Sequence, residues 1–267
     1  MKKLSLTVLL AMMFIASSAQ DSTGHRSNKD DKKQERREKV NNLIKQAEEG
    51  VLIYNKQSIF GVQGRTNGYG IFYELGRMKS NRKTNIYRID ITEIKNQKES
   101  KSSNSGFPFG NTFIYGKINS FYQVTLAFGQ QYMLGQKGNK NGVALSVVYN
   151  GGLSLGLLKP YYLSVQNSAG RDTTIKYSAT TRDLFLGNSI NGSAGFGKGW
   201  SELKTKPGVF AKTALRFDYG RFNEVVSGIE LGVSVEYYGS KIPIMADQKD
   251  KQMFFQGYIA LLFGRRK

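Results

Sequence analysis

Alternation with a period of two limits this chain more than any other feature, and it is clearest at the C-terminal end. The stretch KQMFFQGYIALLFGRRK carries no charge from Gln252 to Gly264. Alternate residues put Met253, Phe255, Gly257, Ile259, Leu261 and Phe263 on one face, and Phe254, Gln256, Tyr258, Ala260, Leu262 and Gly264 on the other. A period of two belongs to a strand whose faces meet different surroundings, not to a helix. The same pattern recurs over 57–65, 69–78, 84–94, 120–133, 143–163, 208–219, 225–238 and 252–264, which predicts eight strands. Many glycines (30), few prolines (4) and 12% aromatics suit strands joined by tight turns.

The second face separates a lipid-facing wall from a soluble sandwich. A sandwich would turn lysine and glutamate to water along that face. Here it carries glycine, alanine, serine and isolated charges, which suit a narrow interior filled by side chains. The candidate interior charges are Glu74, Arg88, Asp90, Lys212, Arg216, Asp218, Glu230 and Glu236. Both signs are present, so pairing is expected, with Lys212 and Arg216 matched to Glu230 and Glu236 across one hairpin. Aromatics near strand ends, Tyr69, Tyr122, Tyr132, Tyr161, Tyr162, Tyr219 and Tyr237, fit an interfacial girdle. The negative mean hydropathy is equally compatible with a barrel, whose lipid face uses only alternate residues.

Upstream, MKKLSLTVLLAMMFIASSAQ has two lysines, a short apolar run and small residues at its end, so 1–19 reads as a cleaved secretory signal. Residues 20–50 read as a polar periplasmic segment. Val40, Leu43, Ile44 and Ala47 mark an amphipathic helix within it, stopped at Gly50. That helix either docks on a partner or stays with its own chain, packed or disordered. Residues 51–267 form the barrel. The predicted fold is all-β: an eight-stranded antiparallel transmembrane β-barrel behind a short N-terminal periplasmic helix. The turns after strands two, four and six are short, and two of the odd connections, 95–119 and 167–207, are long. Short periplasmic turns and longer outer loops follow from that spacing, with both termini in the periplasm.

In these respects the chain resembles the small eight-stranded outer-membrane barrels of the OmpA transmembrane-domain and OmpX type, over roughly residues 55–264. The SSAQ site and the Lys- and Asn-rich character resemble Bacteroidota members. The resemblance implies an outer-membrane protein of a Gram-negative bacterium, in contact with lipid and lipopolysaccharide. One departure is that Phe263 is followed by GRRK, whereas such barrels usually end on an aromatic residue.

Chemistry is sparse. No cysteine is present, which excludes disulfides and thiolate metal sites, and the one histidine, His25, lies just after the signal. A Ser-His-carboxylate triad on the barrel and histidine metal clusters are therefore excluded. Asp247 and Asp250 sit among lysines, a poor calcium site. No cofactor, metal or nucleic-acid partner is expected, and the chain reads as non-enzymatic. GVQGRTNGYG reads as a hairpin with its turn at TNG.

The net charge of +19 concentrates attention on a basic rim, chiefly Arg77, Lys79, Arg82 and Lys83, with Lys137, Lys140, Arg265, Arg266 and Lys267 beside it. That rim is expected to meet a periplasmic protein partner or an anionic surface, or else to be a solvated turn. In SKIPIM, the residues Ile242, Ile244 and Met245 are expected to form an exposed apolar patch on an outer loop. The expected role is an anchor or scaffold for an envelope complex, such as a secretion or outer-membrane-assembly accessory. A narrow pore and a soluble ligand-binding β-domain are the alternatives.

Overall fold

The computed structural model describes residues 32–38, 40–41, 54–103, 112–138, 141–167, 170–220 and 224–267. The signal stretch, Leu43, Ile44, Ala47, Gly50 and Lys140 lie outside them. Residues 32–38 and 40–41 are helical.

Eight long strands close into a barrel. They are β1 (Lys56–Arg65), β2 (Gly68–Ser80), β3 (Lys83–Ile94), β6 (Asn119–Gly135), β7 (Ala144–Pro160), β11 (Lys204–Asp218), β12 (Val225–Ile242) and β13 (Lys251–Arg266). Their order around the wall is β1-β13-β12-β11-β7-β6-β3-β2, every pairing antiparallel. The first and last strands meet from Gln57↔Arg266 to Arg65↔Tyr258, so no edge is left open. Closure is what a bilayer demands, because an unpaired edge has no water there to bond.

Alternation sorts the side chains. On β13 the row from Met253 to Phe263 points outward, and Phe254, Gln256, Tyr258, Ala260 and Leu262 point in. All eight strands contribute to the outer belt, among them Phe60, Ile71, Ile89, Leu126, Leu153, Leu215, Leu231 and Phe255. Met253 to Phe263 spans about 34 Å of strand, and at a tilt near 45° that gives roughly the 25 Å band a membrane barrel presents. Gly61 on the inner face of β1 shows how tight the interior is: a Cβ there would lie 2.3 Å from the Phe72 ring.

The two ends differ. At the terminus-side end, a tight turn at Asn81 and Arg82 joins β2 to β3, and only a few residues separate β11 from β12. At the other end the long connections fold into a head. There β4 (Lys101–Ser102) pairs with β5 (Phe113–Ile114). The strands β8 (Tyr162–Gln166), β9 (Asp172–Lys176) and β10 (Ile190–Ser193) form a sheet in the order β10-β8-β9. Phe113, Leu163, Val165, Phe185 and Ile190 are its core, Phe185 coming from the short helix Arg182–Phe185.

Two expectations change here. The predicted strand 143–163 is two elements: β7 stops at Pro160, and β8 opens the head sheet. Proline has no N–H to extend the ladder, so the chain leaves the wall there. Ile242, Ile244 and Met245 are not an exposed patch. Ile242 and Ile244 are buried with Ile94, Phe121, Leu158, Tyr238 and Phe254, and Met245 packs against them. The inner row of β12 continues through Tyr238 and Ile242, so the loop folds inward over the mouth. Backbone bonds from Ile118 to Ile244 (2.8 Å) and from Ala246 to Gly116 (2.8 Å) hold it there.

Candidate functional site

Among the described residues the barrel interior is the most highly organised polar region, and strand parity builds it. Glu74 on β2, Arg88 and Asp90 on β3, Lys212 and Arg216 on β11, and Glu230 on β12 all fall on inward rows. Arg216 grips Glu74 with two nitrogens, Nη1 to Oε1 at 2.7 Å and Nη2 to Oε2 at 2.6 Å. It also donates to Glu230 Oε2 from Nε at 2.9 Å and Nη2 at 2.7 Å. Arg88 donates to Glu230 Oε1 at 3.0 Å and to Asp90 at 3.1 Å, and its guanidinium stacks 3.5 Å from the Phe72 ring centre. Lys212 reaches Asp90 at 3.1 Å, and Tyr258 donates to Glu230 at 2.8 Å. Three cations thus face three carboxylates, a neutral set in which each charge has a partner. Neutrality matters because an uncompensated charge in so little water is severely unfavourable.

The expected hairpin pairing holds for Arg216 with Glu230 but not for Lys212. Lys212 meets Asp90 across the lumen, and Glu236 is taken by Arg65 from the end of β1. Hairpin neighbours are close along the wall, but a side chain crossing a narrow barrel reaches the opposite strands as easily. Arg65 was missed in the sequence because it borders the turn, although Gln57, Ile59, Gly61 and Gln63 place it on the inward row. Asp218 lies apart from the central network. It binds Arg266 at 2.5 Å and Lys137 at 3.6 Å at the terminus-side end. Burial lowers the pKa of the Lys137 amine and Asp218 partly restores it. Of the expected basic rim, Lys137 and Arg266 are therefore buried and paired inside. Arg77, Lys79, Arg82 and Lys83 are exposed.

Toward the head, layers of amides and hydroxyls follow: Arg65 to Gln123 at 3.0 Å, Gln123 to Ser154 at 2.9 Å, and Gln256 to Ser234 at 2.9 Å. The aromatic and aliphatic plug of Ile94, Phe121, Leu158, Tyr238, Phe254, Ile242 and Ile244 covers them. Within the connection from β3 to β6, Lys117 joins Glu99 at 2.8 Å.

On the outside, the head folds back onto the wall. Trp200 stacks on Tyr122 with centroids 5.5 Å apart, and Phe196 meets Trp200 edge-on at 5.3 Å. Lys159 lies beneath both rings, 4.2 and 4.8 Å from their centres, donating to the Phe196 carbonyl at 2.7 Å. Nearby, Tyr69 donates to Glu93 at 2.5 Å with Lys95 over its ring. These side chains make an aromatic and charged girdle at the head-side limit of the apolar belt, where amphipathic rings settle between lipid and water.

A closed eight-stranded barrel with an apolar outer belt and a plugged polar interior is a small transmembrane β-barrel. No protein-family model matches the chain, and no curated protein matches it. Solved structures of small outer-membrane barrels do. The crystal structure of Neisserial surface protein A is 10% identical, with 79% of this chain and 96% of that one covered at a TM-score of 0.38. Ail, the attachment invasion locus protein of Yersinia pestis, crystallised with the heparin analogue sucrose octasulfate, is 12% identical, covering 80% and 100% at 0.37. The N-terminal β-barrel domain of Pseudomonas aeruginosa OprF is 7% identical, covering 79% and 99% at 0.37. At these values the likeness bears on no individual residue.

Proposed function

We propose that this protein is a non-catalytic outer-membrane barrel that serves as an anchor or scaffold for an envelope complex, a secretion or assembly accessory being one such role. The carrying observation is the neutral network of Arg88, Lys212 and Arg216 with Glu74, Asp90 and Glu230, which crosses the lumen beneath an apolar plug. A wall built to hold such an interior supplies a rigid platform, not a passage. In this reading the head faces outward, while the short connections, both termini and residues 20–50 belong to the periplasmic side. Lys79 and Arg82, exposed at the β2–β3 turn, then offer an acidic periplasmic partner a basic face.

The deciding measurement is single-channel recording of the purified, folded protein in planar bilayers, beside crosslinking from native membranes. No stable openings, together with partners that are lost at high salt, are expected. Steady unitary conductance in the unaltered protein would overturn the scaffold in favour of a narrow pore.

A further inference from the structure

The outer wall of β2, β3, β6 and β7 is not uniformly smooth. An open, shallow apolar groove of about 450 Å³ runs along it, lined by Tyr73, Leu75, Tyr87, Leu126, Phe128 and Leu153. Its floor drops at Gly151, which the register sets between Phe128 on β6 and Ala211 on β11. Glycine and alanine beside exposed aromatic and leucine side chains leave a trough between ridges, and the trough lies within the lipid-facing belt.

One same-face step toward the terminus-side end, the chemistry changes. Tyr149 donates to Gln130 at 2.7 Å and Gln130 donates to Asn85 at 3.2 Å, a chain of phenol and amides lying across three strands. Register continues that level to Arg77 opposite Asn85, and to Lys56 opposite Arg77. Lys83 follows one step further along β3. Lys56, Arg77 and Lys83 are all exposed, and none has a carboxylate within ion-pair reach among the described residues. Like charges directly opposite on paired strands repel. Lys56 facing Arg77 on the outer wall is unfavourable unless an anion lies between them.

We infer that this wall binds one anionic phospholipid. An acyl chain lies in the Tyr73–Phe128–Leu153 groove, the ester region sits against Asn85, Gln130 and Tyr149, and the phosphate sits among Lys56, Arg77 and Lys83. Same-face levels on a strand are about 7 Å apart. The interfacial layer between hydrocarbon and water is similarly several ångströms deep on each side of a bilayer. The groove and the hydrogen-bonding ladder therefore follow along the strands in the order that chain and ester follow along the lipid, while Arg77 and Lys56 continue the ladder's rung sideways and Lys83 lies one level beyond it, around the place left for the phosphate. The inference rests on the membrane placement of the belt and not on the scaffold role. Its failure would leave the conductance result standing.

The test is native mass spectrometry of the full chain released from nanodiscs of phosphatidylglycerol or of phosphatidylcholine. The unaltered protein should keep one phosphatidylglycerol per barrel through a delipidating detergent wash, and should not keep phosphatidylcholine. The Lys56→Gln/Arg77→Gln variant should lower retention by roughly tenfold or more, since each basic residue near an anionic surface contributes about 1 kcal/mol. Lys241→Gln/Lys251→Gln, at the opposite end of the wall, should retain it. Phe128→Ala/Leu153→Ala should also reduce retention with every charge in place. Gel-shift heat-modifiability certifies that each variant is folded. Equal retention in Lys56→Gln/Arg77→Gln, or no preference between the two lipids, would overturn the site. Displacement of the lipid by saturating inorganic phosphate would do so too, by showing that the cations take any free anion.

Discussion

Arg216 and Lys176 each hold a carboxylate at close range, in two different surroundings. Arg216 lies 2.6 Å from Glu74 and 2.7 Å from Glu230, with all three side chains at 1% exposure or less. Lys176 lies 2.5 Å from Glu202 on the head, and both side chains are more than 40% exposed. Geometry alone ranks the contacts together, and water separates them. In the head, solvent competes for both charges and screens them, so the pair adds little. In the lumen each ion has given up its hydration, and the partners replace it. Such a network adds modest net stability, yet removing one member leaves a buried charge that nothing else satisfies.

The largest effect expected from this contrast is at Glu230. Glu230→Gln keeps the volume but leaves Arg216 and Arg88 sharing fewer negative charges. It should cost roughly 3–5 kcal/mol in urea unfolding of the barrel in lipid vesicles. Glu230→Gln/Arg216→Gln restores the balance of sign and should recover part of the loss. Additive costs in that double-mutant cycle would show that the charges do not form a unit.

The adjacent residue tests the same strand from outside. Leu231 faces the lipid, between Leu215 and Ile259 on the neighbouring strands. Leu231→Arg should cost about 2–4 kcal/mol if that level is near the midplane, less toward an interface. One step along the backbone thus separates a site that requires a charge from one that rejects it. A neutral result would mean the belt meets water and would revive a soluble barrel.

These contrasts also explain what the sequence could disclose. The eight strands and their inward charges were legible because long runs repeat the period-two signal many times, and parity then assigns every residue a side. Partners were less legible. Parity states that Lys212 and Asp90 both face inward, but not that they meet across the lumen from strands distant in sequence. The head was not legible at all beyond its length. Tyr162–Gln166, Asp172–Lys176 and Ile190–Ser193 are too short for alternation to stand out, and their core depends on Phe113 and Phe185 arriving from elsewhere. Ile242 and Ile244 misled for the same reason: an apolar loop read locally looks exposed, and only the closed barrel supplies the mouth it fills.

The smallest expected effect is at the exposed pair, where pH supplies the sharper test. The Lys176 ammonium, and after it the Tyr162 hydroxyl, hold the Glu202 carboxyl below its usual range. Glu202 in turn raises both Lys176 and Tyr162. A depressed carboxyl contributes above its unfolded pKa and loses its contribution as pH falls through the folded value. A raised lysine contributes below its unfolded pKa and loses its contribution as pH rises through the folded value. The pair is therefore intact across the neutral range and fails at both extremes. Trp200, the one tryptophan in the chain, opens the same turn as Glu202 and reports on it directly. Lys176→Met should leave the global unfolding midpoint unchanged within error. The unaltered protein is expected to show a salt-sensitive change in Trp200 emission on acidification below the usual carboxylate range, and the variant should lose it. A global loss as large as that of Glu230→Gln would mean that exposure does not separate the two pairs, and the contrast between lumen and head would fail.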